Sequence, residues 1–391
     1  MHGEGRGKMS ERGSIYREIA EEEEEDISSE SEECSDAPFD PRSVNVYSKS
    51  QVINLLVRRI KTGALDLHPD FQRSAGIWNK VKQSRLIESL LIKIPIPSLY
   101  FDASDDSHWL VIDGLQRLST IDDFVNDRFR LTKLEFLHDL EGLTYSQLPA
   151  IYQMRIDETE VTSYLVMPGT PLRVKFDIFR RINTGGVPLS QQEIRHALNM
   201  GPCTDLLKEM TESDAFRNVV GGGISDVRMA DRECALRYLV FSDLTPEAYK
   251  RNDFNMFLCE YMESFNALHK GQKMNDDQMS AILVGFEHAM TLAEELFGES
   301  AFRLLDANGH LVSKRVNKAL FEAWSVNLSK LDDLSKDILR ENKGNLVSAF
   351  AQSLAGNIEF YKSVAQATGS VSAVHTRFSV VKSIIDEVVY A

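Results

Sequence analysis

Between Val44 and about Met200 the apolar positions switch repeatedly between a helical and a strand period. Val52, Leu55, Leu56 and Ile60 share one helical face, with Ser48 as the expected N-cap and Gly63 as the stop. A second helix is predicted from Asn79 to Lys93, closed by Ile94-Pro95-Ile96-Pro97. Short apolar runs at Leu99–Phe101, Trp109–Ile112, Arg128–Leu131 and Val161–Val166 predict strands. Helices are expected from about Gln116 to Asn126 and from Leu172 to Ile182. After a turn at Asn183–Gly186, Ser190 and Glu193 have the spacing of a capping box. From about Gly201 onward no convincing strand is found. Helical periodicity covers Ala230–Phe241, Pro246–His269, Asp276–Phe297, Lys314–Leu328 and Leu346–Ala365, with no repeat of fixed period. The predicted fold class is α+β: a small mixed domain over residues 44–200, then a helical domain over 201–391.

Composition changes this picture at the N-terminus. The net charge of −15 over 391 residues is uneven: residues 1–43 carry −9 and the rest only −6. The run Glu21–Asp26 and the Ser- and Glu-rich sequence after it predict a disordered acidic tail, read as solubilising or as a phosphate mimic over a basic cleft. The mildly acidic remainder argues against a surface devoted to non-specific DNA binding and leaves room for a local basic groove. No segment has the run of about 20 apolar residues that a membrane span needs. The polar, acidic start is not a targeting peptide, so a cytoplasmic location is expected. Cys34, Cys203, Cys234 and Cys259 lack CxxC spacing and read as reduced thiols, neither disulfides nor metal ligands.

Three polar clusters carry the candidate chemistry. In Trp109–Phe124 (WLVIDGLQRLSTIDDF) an apolar strand meets Asp113-Gly114, and Gln116 and Arg117 open the next helix. A helix N-terminus offers unpaired N–H groups to phosphate. Arg117 adds a forked cation facing a cleft, and Asp113 a carboxylate for a metal or a water. The plainer reading is a βα turn with Arg117 paired to Asp122 or Asp123. The second cluster, His68–Trp78, sets Asp70, Gln72 and Arg73 between Phe71 and Trp78. It reads equally as a ligand loop or a surface loop. The third, Phe179–Leu198, sets Arg180, Arg181 and the loop Asn183–Gly186 before a helix bearing Glu193 and Arg195. Its plainer reading is a helix–turn–helix corner with a glycine C-cap.

The ordered series PDFQR…W, IPIPSLYF, VIDGLQRLSTIDDF and FRRINTGGVPLSQQEIRHAL resembles the N-terminal domain of GmrSD-type restriction endonucleases over roughly residues 48–200, and more weakly beyond. More distantly it resembles the ParB and sulfiredoxin nucleotide-binding fold. The family's usual DGQQR is DGLQR here, with Leu115 at the first Gln. The resemblance implies a ParB-like module that binds, and in some members hydrolyses, a nucleoside triphosphate with Mg²⁺, coupled to cutting of modified phage DNA. By position it implies catalytic roles for Asp113, Gln116 and Arg117. It implies nucleotide contacts by Asp70, Gln72, Arg73 and Gly114, and by Arg181, Asn183 and Gly186. Full-length relatives carry an HNH-type nuclease domain. In residues 201–391 His269, His288, His310 and His375 are widely separated, so no metal site and no autonomous nuclease are expected. Two functions follow: a nucleotide-binding or -hydrolysing sensor in a restriction system, or a non-catalytic DNA-binding or adaptor protein. Either would work with a separate HNH-type nuclease.

Overall fold

A computed structural model describes residues 41–67, 78–182, 189–224, 228–271 and 274–391. Two units divide between Leu198 and Asn199. The first is built on a five-stranded sheet of order β1-β5-β3-β4-β2. Its strands are β1 (Val46–Val52), β2 (Leu65–Asp66), β3 (Leu99–Asp105), β4 (His108–Asp113) and β5 (Glu160–Val166). β1 runs antiparallel to β5, β5 parallel to β3, β3 antiparallel to β4, and β4 parallel to β2.

Alternating burial decides the two faces. Leu99, Phe101 and Ala103 of β3, Trp109 and Val111 of β4, and Val161 and Leu165 of β5 enter one apolar core. That face is covered by α1 (Ile53–Lys61), α2 (Lys80–Leu91), α3 (Leu115–Val125) and α4 (Ala150–Glu158). The opposite face receives α5 (Leu172–Ile182), which buries Val174, Phe176 and Phe179 and packs against β4. After α5 comes α6 (Gln191–Leu198). Its capping box is formed: the Ser190 N–H donates to Glu193 Oε2 at 2.6 Å and the Glu193 N–H to Ser190 Oγ at 3.1 Å.

Several expectations change here. Ser48 does not cap a helix; it lies within β1, and α1 begins at Ile53 without a side-chain cap. Gly63, at φ 72°, follows the helix end as expected. Arg128–Leu131 is not a strand. Phe129 and Leu131 do turn inward, but Arg128 instead pairs with Asp122 and Asp123, each at 3.0 Å, past the end of α3. A carboxylate replaces a strand partner for the next loop. Glu88, on α2, accepts from the N–H groups of Glu135, Phe136 and Leu137 at 2.9, 2.7 and 2.9 Å. Burial pushes this carboxyl up, but the three N–H donors outweigh it and hold it below the usual glutamate value.

The second unit is helical. It comprises α7 (Pro202–Glu212), α8 (Asp214–Val220), α9 (Ala230–Asp243), α10 (Phe254–Lys270), α11 (Asp276–Phe297), α12 (Lys318–Ser329), α13 (Asp333–Glu341), α14 (Lys343–Gly356), α15 (Ile358–Ala365) and α16 (Val371–Val389). Among its described residues the only strand-like feature is an isolated bridge between Leu305 and Leu311. The predicted helix over Pro246–His269 starts instead at Phe254, and that over Leu346–Ala365 is broken in two at Asn357. Cys203, Cys234 and Cys259 are buried free thiols.

Through this apolar interior runs a chain of charges. Lys318 Nζ reaches Glu233 Oε2 at 2.9 Å, and Glu233 Oε1 accepts from Arg237 Nη2 at 2.6 Å. Arg237 Nη1 reaches Glu322 Oε2 at 3.2 Å, and Glu322 Oε1 accepts from Arg377 Nε at 2.7 Å and from its Nη2. Glu322 and Arg377 are fully buried. Arg377 Nη1 also donates to the Ser363 and Thr368 carbonyls at 3.1 and 2.6 Å. Ions withdrawn from water this far need such pairing at every step.

Candidate functional site

The site is best built outward from the end of β4. Phe101 stands opposite Val111, but the register then shifts, so that Asp113, not Ile112, faces Tyr100. Such an irregularity re-aims a side chain at the end of a strand. Gly114 follows at φ 102° and precedes α3. A Cβ there would lie 2.3 Å from Leu99 Cδ2 and 3.4 Å from Arg117 Nη2, so both the backbone angle and the space select glycine. The N-cap residue of α3 is this glycine, which offers no side-chain acceptor of its own to the first turn.

Arg117 does not open onto a cleft. It is 8% exposed. Its Nη1 donates to the Pro97 carbonyl and, at 3.0 Å, to the Ser98 carbonyl. Its Nη2 donates to Asp113 Oδ2 at 2.6 Å. The guanidinium therefore fastens together the IPIPS segment, the end of β4 and the first turn of α3. An ion-pair reading is right in kind, but the partner is Asp113; Asp122 and Asp123 are taken by Arg128. The Asp113 side chain keeps 37% exposure, so its carboxylate reaches solvent while anchored.

Gln116 makes the second link. Its Oε1 accepts from the Trp78 N–H at 3.3 Å, at the far end of the PDFQR motif. The near end of that motif leaves β2, whose Leu65 and Asp66 pair with Trp109 and Leu110 of parallel β4. The His68–Ile77 segment thus leaves the sheet beside the first residues of β4 and returns, at Trp78, to the first turn of α3. Asp70, Gln72 and Arg73 belong to that segment and lie outside the described residues. Leu115 is half-buried and packs against the apolar core of its unit, which places it among the packing residues.

The third motif arrives on α5. Lys175 Nζ reaches Asp102 Oδ2 at 3.0 Å and Ser104 Oγ at 2.5 Å, pinning the early helix to β3. α5 also packs against β4 and ends in the exposed Arg180 and Arg181. Asn183 and Gly186 follow, outside the described residues. Among the described residues, Trp78, the Pro97–Ser98 carbonyls and the Asp113–Arg117 turn are tied together at this end of the sheet.

Several contributors to this end of the sheet have no local signal in the sequence. Pro97 and Ser98 act through carbonyl oxygens, which leave no trace in side-chain identity. Asp102 and Lys175 are separated by 73 residues, so nothing local links them. Tyr100 and Tyr164 stack at 4.9 Å with an interplanar angle of 14°; each looked like one more apolar strand residue. A cleft of about 370 Å³ lies elsewhere, at the His108 end of β4, lined by Ile60, Lys61, Asp66, Asp122 and Arg128 among others. It contains none of the candidate site residues, and Arg128 and Asp122 are occupied with each other, so the end of the sheet bearing Asp113 and Arg117 is the better candidate.

The first unit is thus an α+β module in which the Asp113–Arg117 strand–turn–helix is tied to Trp78, Pro97 and Ser98. Residues 53–200 match the family described as GmrSD restriction endonuclease, N-terminal domain. The match ends at residue 200, so the helical unit lies outside it. No curated protein and no solved structure matches the chain. Among the described residues no helix is long and apolar enough to cross a membrane.

Proposed function

We propose that the chain is a nucleotide-responsive component of a DNA restriction system, with the N-terminus of α3 as its phosphate seat. The observation that carries this reading is the α3 N-terminus itself. Its N-cap residue is a glycine, which supplies no side-chain cap and has no room for a Cβ, and it stands beside a half-exposed carboxylate. Backbone N–H groups in that position suit the oxygens of a phosphate. Fit to Mg²⁺ is partial: Asp113 Oδ2 is held by Arg117, which leaves Oδ1 as the candidate ligand for a cation carried with the phosphates. The Arg117 guanidinium is committed to Pro97, Ser98 and Asp113, and Arg181, exposed at the end of α5, is the candidate phosphate cation through the family resemblance. Arg117 is accordingly a positioning residue. Asp70, Gln72, Arg73, Asn183 and Gly186 remain candidate ligand contacts through the family resemblance.

The proposal assigns DNA cleavage to an HNH-type nuclease partner. The buried state of Arg117 favours a second reading, in which this chain binds nucleotide or DNA without turnover and recruits that nuclease. Calorimetric titration with nucleoside triphosphates and Mg²⁺, followed by phosphate release with and without DNA, separates the two. Binding with release supports the sensor that hydrolyses, and binding without release supports the adaptor. Absence of nucleotide binding refutes the phosphate seat.

A further inference from the structure

The open half of the sheet carries a feature that the phosphate seat does not use. Across its α5 side, register places Ser48, Tyr164, Tyr100 and Asp113 side by side on β1, β5, β3 and β4. α5 packs on β4, and the β1 half of this face stays open: Ser48, Ser50 and Thr162 are exposed. Tyr164 and Tyr100 fill the middle of the row as a near-parallel stack, its 4.9 Å spacing being that of adjacent strands. Both rings are half-buried, and neither hydroxyl has a hydrogen-bond partner among the described residues. Beyond Tyr164 the next position holds only a small serine, so one face of the stack looks onto an empty step. A pair serving only cross-strand packing would gain by covering that step.

We infer that Tyr164, backed by Tyr100, is the stacking platform for the base of a nucleoside triphosphate, with the base lying above Ser48. The inference rests on the proposed phosphate seat and adds its base-binding half. Three strand spacings, roughly 14 Å, separate Ser48 from Asp113, a span suited to a nucleotide lying extended along the row. Stacking on a tyrosine needs the ring and not the hydroxyl, and it tolerates different bases.

The test uses the full chain and two probes, a nucleoside triphosphate and inorganic tripolyphosphate, each with Mg²⁺. Tyr164→Ala is expected to weaken nucleotide binding by roughly 10- to 100-fold and to leave tripolyphosphate binding unchanged. Tyr164→Phe should bind both probes as the parent does. If Tyr164→Ala also loses tripolyphosphate, Tyr164→Leu, which keeps bulk without a π face, decides: selective loss of the nucleotide supports the platform, and parallel loss of both overturns it. Parent protein that binds the two probes equally well overturns the platform and leaves the phosphate seat standing. Parent protein that binds neither overturns both.

Discussion

Replacing Arg117 by alanine removes the group that ties three segments at the end of β4. Three hydrogen bonds from a charged donor are lost, to Pro97, Ser98 and Asp113. At about 1.5–3 kcal/mol each, the gross loss is about 4.5–9 kcal/mol. Two features reduce it: Asp113 keeps 37% exposure and regains water, and water entering the vacated space can reach the two carbonyls. A net cost of about 3 kcal/mol is expected, the lower end of what breaking a buried pair costs. For a unit of this size that corresponds to a fall in melting temperature of roughly 6–12 °C. Arg117→Lys keeps the charge but cannot span three acceptors with one fork, and should fall between. The assay is thermal unfolding of the three proteins, paired with nucleotide binding at a temperature where each is folded. An Arg117→Ala protein that melts within about 1 kcal/mol of the parent yet loses nucleotide binding would refute the reasoning, because the guanidinium would then be serving a ligand and not the fold.

Four further outcomes follow from the same structure. Gly114→Ala forces a Cβ against Leu99 at a positive φ and should cost about 2 kcal/mol or more by denaturant titration, with loss of any phosphate binding. Leu115→Gln should cost about 1–2 kcal/mol through partial burial of an amide and should not raise phosphate release; a stable variant with about tenfold faster release, 1.4 kcal/mol of barrier, would show that Leu115 points into the site. Glu88→Gln should destabilise the first unit at neutral pH by about 1.5–3 kcal/mol. The Glu88 pKa is lowered by folding, so its contribution is present above the unfolded value of 4.5 and disappears as pH falls through the lower folded value; parent and variant melts should converge in acid, and a difference that persists there sinks the assignment. Arg377→Ala, which leaves the buried Glu322 with Arg237 as its remaining charge partner in the chain, should cost about 3–5 kcal/mol in the helical unit, read by urea unfolding.

What the residues disclosed depended on the range of the interactions involved. The periods of Leu172–Ile182 and Asp276–Phe297 matched the helices to the residue, because one buried stripe per helix is a local pattern. β1 was missed because it is an edge strand with five exposed residues in succession, which leaves no alternation to read. Arg128–Leu131 misled because inward-facing Phe129 and Leu131 satisfy a strand pattern, while backbone pairing depends on a partner the pattern cannot supply. The motif Asp113–Arg117 was legible as a turn opening a helix. The direction of its arginine was not, since the acceptors that draw it inward are carbonyls 19 and 20 residues earlier. The Tyr100–Tyr164 stack exists only through the parallel register of two strands distant in sequence.

The charge chain of the helical unit has a consequence for how the protein is made. Glu322 is translated 55 residues before Arg377, the base that occupies its Oε1. At ribosomal speeds of about 5–20 residues per second, the acid waits roughly 3–11 s for that partner. During this interval Arg237, synthesised earlier, is the cation of the chain on hand, and α12 cannot take its final buried place without leaving half a carboxylate uncompensated. The interior of this unit is therefore expected to close only after α16 has emerged. A nascent chain stalled between residues 322 and 377 would hold an unfinished core, which makes it a natural substrate for chaperones and proteases.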